Sequence, residues 1–333
     1  MAEANYSLTA LDGVRVGNYQ RMGRGWLTGT TVVFTPRGAT AGVDVRGGGP
    51  GTRETDVLRP ENLVQQVHAI CLSDGVLRRC AELGVGLQTG QAPHEVVPIV
   101  PTAIIYDLAR GGRFDHRPDA EFGYQATAVA SRRPVRSGNI GAGAGAVAAG
   151  LKGGLGNALH RFEDGIVVAS LAVVNAAGSL IDPESGLPWL ATSLLKRPDR
   201  EDRRRLAEVL APRLTPLNTT IGVVATNAAL TKSECTKLAQ VAHDGLARAA
   251  NPSHLLVDGD TIFALSTTTA EVSTAAGSSG LSAPDSRTPL MNRLLTHAAN
   301  TFASACLDAV LSATSVPGFP SYRDLCPSAV REA

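Results

Sequence analysis

The ten residues Leu217-Asn218-Thr219-Thr220-Ile221-Gly222-Val223-Val224-Ala225-Thr226 constrain this chain more than any other stretch. Pro212 and Pro216 make the approach loop-like, and the β-branched, apolar run that follows reads as a buried strand. Two threonines therefore sit where a loop enters a core strand. One reading is an ordinary strand edge, because threonine suits strands and asparagine suits turns. The other is chemical. If the bond between Asn218 and Thr219 is cut, Thr219 begins a new chain and carries a hydroxyl nucleophile beside its own α-amine. That amine, with an unperturbed pKa of about 7.7–8.0, is a suitable proton acceptor near neutral pH. A threonine hydroxyl is otherwise a weak nucleophile, and a base on the same residue removes the need for histidine.

The 333 residues suffice for one large domain or two ordinary ones, and 44% hydrophobic with 18% charged residues is a globular profile. A net charge of +1 gives no broad electrostatic case for nucleic acid or an anionic membrane, and 4% aromatics argues against base-stacking platforms. Cys71, Cys80, Cys235, Cys306 and Cys326 form no CxxC pair and no zinc spacing, so no metal site is expected, and their scatter fits a reducing compartment. The first residues lack the basic and apolar regions of a secretion signal, and no apolar run is long enough to span a bilayer. A cytoplasmic location is expected.

Along the chain, 7–20 reads as a first hairpin turning at Asp12-Gly13, and 28–36 as a strand with 41–46 as its partner. The glycine run Gly47-Gly48-Gly49 lets backbone approach a ligand or another backbone closely, but lacks the lysine and spacing of a phosphate loop. Arg46 and Arg53 either anchor that run through carboxylates or lie exposed. The spacing of Leu63, Val64, Val67, Ile70 and Cys71 predicts a helix over 61–80. Residues 96–107 read as a strand that delivers Tyr106 and Asp107 to its end; Tyr106 is either packed or substrate-binding. The glycine-rich stretch 138–156 is either a small-residue helix packed on a sheet or a loop offering N–H groups to an oxyanion. Lys152, the cation of that stretch, reads from spacing alone as an exposed loop lysine.

The clearest buried strand covers 165–174 and ends at Asn175, which is a turn residue or an oxyanion donor. Residues 196–216 read as a charged surface connection with a short helix. Residues 233–249 read as an amphipathic helix whose His243 is structural. Asp258-Gly259-Asp260 precedes another buried strand; it is a turn, or a carboxylate pair that holds the ammonium and hydroxyl of Thr219 or binds a substrate amine. A long helix of small residues covers about 289–313.

Taken in order, Asp44-Val45-Arg46-Gly47-Gly48, Val97-Pro98-Ile99-Val100-Pro101, Ile105-Tyr106-Asp107, Gly138-Asn139-Ile140-Gly141-Ala142-Gly143, Leu151-Lys152-Gly153-Gly154, Val173-Val174-Asn175, Asn218-Thr219-Thr220-Ile221 and Asp258-Gly259-Asp260-Thr261 resemble the DmpA-like family. These are N-terminal-nucleophile hydrolases that include L-aminopeptidase/D-esterases, β-peptidyl aminopeptidases and nylon-oligomer hydrolase. The likeness covers nearly the whole chain and is greatest to mycobacterial-type members. It implies an α/β (α+β) fold, a four-layer αββα sandwich like that of ornithine acetyltransferase. It also implies one domain over 1–333, self-cleaved into 1–218 and 219–333, and assembly into a homo-oligomer of four subunits or more.

The resemblance makes Thr219 the nucleophile, Asn175 the oxyanion-side residue, Asp258 and Asp260 the acids that orient the nucleophile, Lys152 a catalytic lysine and Tyr106 a pocket residue. It implies no cofactor, and small peptide or amide substrates whose free amine is held by an acidic pocket. Relative to the family, about ten residues are missing where Ser73 runs into Asp74-Gly75, which implies a core helix shortened by roughly three turns. Two other readings stand beside hydrolysis: an acyltransferase of the ornithine acetyltransferase type, and a non-catalytic remnant.

Overall fold

The computed structural model describes residues 5–72, 76–92, 94–210, 217–270 and 287–330. Its principal strands are β1 (Arg15–Gly23), β2 (Trp26–Val45), β3 (Val67–Leu72), β4 (Gly154–Arg161), β5 (Val167–Asn175), β6 (Thr219–Thr226) and β7 (Thr261–Ser266). The helices are α1 (Leu77–Glu82), α2 (Ala120–Ala128), α3 (Arg200–Leu210), α4 (Lys232–Ala249), α5 (Arg287–Leu311) and the short α6 (Tyr322–Leu325).

β4, β5, β6 and β7 lie side by side in that order, and β7 pairs with the Thr40–Val45 end of β2. The pairs are antiparallel except β6 with β7, which run parallel. The other end of β2 pairs with β1 and β3, and beyond β3 lie the short strands Thr102–Ala103 and Thr52–Arg53. β2 thus leaves one sheet and enters the other. Its register slips between Phe34 and Ala39, where an irregularity lets a strand change direction.

Strand alternation reveals the layers. Val33, Ile70 and Leu72 of one sheet meet Leu171, Val173, Ile221, Val223 and Phe263 of the other in a single core. The alternate residues Val168, Ala172, Val174, Val224, Ile262 and Ala264 face Leu238 and Ala242 of α4 and Leu294 and Phe302 of α5. Val32, Phe34, Ala69 and Cys71 face away on the opposite side, toward Cys80 of α1 and Ala126 of α2. Because successive side chains of a strand point to opposite faces, both sheets are covered twice. The result is helices, sheet, sheet, helices: the expected αββα sandwich. Fully burying a side chain such as Phe263 or Ile221 contributes about 1.5–3 kcal/mol.

α4 begins at a reciprocal cap, in which the Thr231 hydroxyl accepts from the Glu234 N–H and the Glu234 carboxylate accepts from the Thr231 N–H. α5 matches the expected long helix. Several local expectations are corrected. The first hairpin turns at Arg24-Gly25, both with positive φ, rather than at Asp12-Gly13; residues Leu8–Ala10 form a 3-10 turn. Residues 28–36 and 41–45 belong to one strand and are not partners. The helix expected over 61–80 is instead β3 followed by α1. Six consecutive buried residues, Val67–Leu72, face apolar neighbours on both sides, and such a run can imitate helical spacing. The Ser73 junction lies outside the described residues. Among the described residues, no helix is long and apolar enough to cross a membrane.

Candidate active site

The parallel pair of β6 and β7 begins at Ile221 opposite Thr261. Just before it, the chain makes a second set of contacts. Asn218 N–H donates to Val257 O at 2.9 Å, and Gly259 N–H donates to Asn218 O at 2.8 Å. Thr220 N–H donates to Asp260 Oδ1 at 2.7 Å. Across the sheet, Thr219 stands opposite Asn175, the last residue of β5, in antiparallel register. The mouth of the sheet therefore gathers Asn175, Asn218, Thr219, Asp258 and Asp260, all buried. The Thr219 hydroxyl donates to the carbonyl oxygen of Asn218, the residue before it.

Gly259 packs directly against Thr219. A Cβ there would lie 2.7 Å from Thr219 Oγ1, 2.8 Å from Gly49 O and 3.1 Å from Pro50 Cα. A Cβ on Gly47 would lie 2.3 Å from both Asp258 O and Asp260 N. The glycine run after β2 thus serves close backbone approach, and Gly49 N–H donates to Asp258 O at 2.8 Å. Arg46 anchors it, with contacts to Asp44 at 2.8 Å and Asp244 at 3.2 Å.

The two carboxylates differ. Asp258 accepts from the Leu255 N–H at 2.9 Å and the Ala177 N–H at 3.2 Å. Burial, and then the charge of Asp260, push its pKa up. Asp260 bridges: Oδ1 takes the Thr220 N–H, while Oδ2 takes His254 N–H at 3.2 Å and His254 Nδ1 at 2.8 Å. Asp260 thus holds the backbone next to Thr219, while Asp258 holds the turn at Leu255 and the chain after β5. His254 stands edge-on to His243 at 5.0 Å between ring centroids, and His243 Nε2 meets Asp44 O at 3.0 Å. No pattern in the sequence pointed to His254.

Arg110 was missed as well. Only 8% exposed, it reaches Asn175 Oδ1 at 2.8 Å, Asn218 Oδ1 at 3.3 Å and the Leu217 carbonyl. Its place three residues after Tyr106-Asp107, just past the strand end read there, was the one signal available. The Asn175 amide is also engaged: Oδ1 accepts from the Val147 N–H at 3.0 Å, and Nδ2 donates to Tyr106 O at 3.2 Å.

Lys152 is not an exposed loop lysine but fully buried. The glycine-rich stretch is neither helix nor open loop. It forms a short turn at Gly141–Gly143, a tight hairpin through Val147–Ala148 and Leu151–Lys152, and then β4. Lys152 Nζ donates to the carbonyls of Gly143 and Ala146 at 2.9 Å each and of Gly153 at 2.7 Å. Burial pulls its pKa down to about 7, and Asp107 opposes that shift. Three acceptors call for three N–H donors, so the geometry favours the ammonium form. The burial of Asp107 in turn pushes its carboxyl up to about 6.

A cavity of about 400 Å³ opens beside Thr219, with Leu217, Ile105, Tyr106, Asp107 and Arg117 in its wall. Among the described residues the ionisable wall consists of Arg53, Arg117 and Asp107, while Asp258 and Asp260 are not part of it.

The sequence profile described as peptidase family S58 matches residues 6–323. An uncharacterized aminopeptidase of Mycobacterium tuberculosis is 44% identical, over 97% of this chain and 98% of that protein. Two solved structures share the fold. A β-aminopeptidase of a Burkholderia species has a TM-score of 0.68 at 22% identity, covering 100% of this chain and 96% of that one. An L-aminopeptidase D-Ala-esterase/amidase of Ochrobactrum anthropi, described as a prototype serine aminopeptidase and a variant of the Ntn-hydrolase fold, has a TM-score of 0.64 at 19% identity, covering 96% and 91%. From the profile match over nearly the whole chain and the close relative, this protein is a member of peptidase family S58, a hydrolase of peptide or amide bonds built on the Ntn-hydrolase sandwich.

Proposed function

We propose that the chain cuts itself between Asn218 and Thr219 and then acts as an aminopeptidase-like amidohydrolase through Thr219. The observation that carries this reading is the double hold on one carbonyl. The Thr219 hydroxyl lies on Asn218 O, and Gly259 N–H donates to the same oxygen at 2.8 Å. A donor aimed at the carbonyl oxygen polarises it and stabilises the oxyanion that forms on attack. In processing, Thr219 Oγ adds to the Asn218 carbonyl carbon, the C–N bond breaks, and the nitrogen takes up a proton. Water then hydrolyses the ester, leaving an Asn218 carboxylate and a free Thr219 amine.

In turnover the same oxygen attacks a substrate amide. The α-amine accepts the hydroxyl proton and passes it to the leaving amine, and water releases the acid from the ester. Asp260 orients the nucleophile through the Thr220 N–H it holds, and Asp258 through the turn whose Gly259 N–H meets Asn218 O. Asn175 fixes the strand end opposite Thr219 and supplies the oxyanion side. Tyr106 shapes the cavity for a small peptide or amide. Lys152, with all three hydrogens committed to carbonyls, supports the site by holding the glycine hairpin. The working form is taken as a homo-oligomer in the cytoplasm. Five free, buried cysteines are in keeping with that compartment.

Intact-mass spectrometry of the purified protein tests the proposal directly. Two chains are expected, the smaller beginning at Thr219, and Thr219→Ala stays whole and inactive. A single uncut chain whose Thr219→Ala variant retains full activity refutes it. Adding a competing amine and measuring acylated product separates hydrolysis from acyl transfer.

A further inference from the structure

Arg110 is a buried guanidinium whose hydrogen bonds all run to neutral oxygens: Asn175 Oδ1, Leu217 O and Asn218 Oδ1. Asp107 acts on it only through space, among the described residues. A buried cation without a contacting counter-ion is costly, and the cost falls when an anion reaches it. Two of its three acceptors belong to the two residues before the proposed cut.

The chemistry of the cut says what those residues stand in for. The ester formed in processing joins the Asn218 acyl group to Thr219 Oγ. The ester formed in turnover joins the substrate's acyl group to that same oxygen. Asn218 therefore occupies the position of the substrate's acyl residue, and its side-chain oxygen marks where that residue's side chain lies. When residues 217 and 218 withdraw, Nη2 of Arg110 loses both its acceptors, while Nη1 keeps Asn175, the residue opposite Thr219 in the sheet.

Resting on the function proposed above, we infer that Arg110 is a specificity residue, and that the preferred substrates carry a carboxylate or carboxamide on the β-carbon of the acyl residue. Aspartyl and asparaginyl amides fit this description. A leucyl group has the same branching without the oxygens, so it leaves the guanidinium unpaired. A hydrogen bond to a charged group, worth about 1.5–3 kcal/mol, corresponds to a preference of about ten- to a hundredfold.

The test uses processed wild-type protein and four p-nitroanilides: L-aspartyl, L-asparaginyl, L-leucyl and L-alanyl. The expected result is kcat/KM for the first two at least about tenfold above the leucyl compound. In processed Arg110→Met the aspartyl-to-leucyl ratio falls toward one; if that variant does not process, the wild-type ratio alone decides. Leucyl or alanyl turnover equal to or faster than aspartyl and asparaginyl overturns the inference but leaves the hydrolase intact. It would mean that the new Asn218 carboxylate stays as the partner of Arg110. No hydrolysis of any of the four, together with an uncut chain, removes both the inference and the function beneath it.

Discussion

Replacing Gly259 by alanine adds one methyl group at the closest point of the proposed centre. The added carbon would stand 2.7 Å from Thr219 Oγ1 and 2.8 Å from Gly49 O, both inside the separation that real Cβ atoms keep. The φ of Gly259 is not in the left-handed region, so the effect is one of space and not of backbone strain. Its N–H remains available to Asn218 O. Either the Thr219 hydroxyl or the glycine loop has to move by several tenths of an ångström. Overpacking of this kind costs about 1–3 kcal/mol. If the hydroxyl moves, the near-attack geometry carries that cost, which corresponds to a slowing of about five- to 150-fold. The assay is a time course of chain cleavage by intact mass after synthesis in a cell-free system, with circular dichroism to show that the variant is folded. Wild-type cleavage kinetics in a folded Gly259→Ala chain whose melting temperature is also unchanged, so that the glycine loop has not absorbed the cost, would refute the argument that Thr219 Oγ reacts from this position. A folded, slowly cleaving chain supports it.

Three further outcomes are expected. His254→Ala removes the 2.8 Å contact to Asp260 Oδ2 and should lower kcat by about tenfold and alter its pH profile, with His254→Asn recovering part of the loss; unchanged kcat and pH profile would argue against a positioning role. Lys152→Met keeps the volume but leaves the carbonyls of Gly143, Ala146 and Gly153 without their donor, so denaturant melts should show a loss of at least about 3 kcal/mol; a fully stable but inactive variant would instead make Lys152 a catalytic group. The Asp107 carboxyl, raised from 3.8 to about 6, binds its proton more tightly folded than unfolded, so its contribution is fully present below about pH 4 and is lost as pH rises through 6. Asp107→Asn should therefore gain stability relative to wild type between pH 4 and 7, by up to about 3 kcal/mol, and a pH-independent difference in melting temperature would contradict the shift.

The parts of the fold that could be read in advance are those whose pattern is local. β5, β6 and β7 are runs of β-branched and small apolar residues between loops, and α4 and α5 show helical periodicity with recognisable ends. β3 was misread because a strand buried on both faces has no alternation to display. β2 was divided in two because Pro36 and Gly38 punctuate it, and nothing local tells a bulge that redirects a strand from a turn that ends it.

The amino-acid order alone singled out Thr219 at a loop-to-strand boundary, the Asp258-Gly259-Asp260 turn, and Asn175 at a strand end, because each lies next to an apolar run that fixes its position. The pairing of strands decided the rest. It set Asn175 opposite Thr219, brought Gly259 N–H onto the Asn218 carbonyl, and drew Arg110 into contact with groups far along the chain; His254 meets Asp260 within one loop, by the way that loop folds back on itself. It also turned Lys152 inward, since a lysine is buried only where the folded backbone presents enough carbonyls to receive its three hydrogens, and no stretch of sequence carries that information by itself.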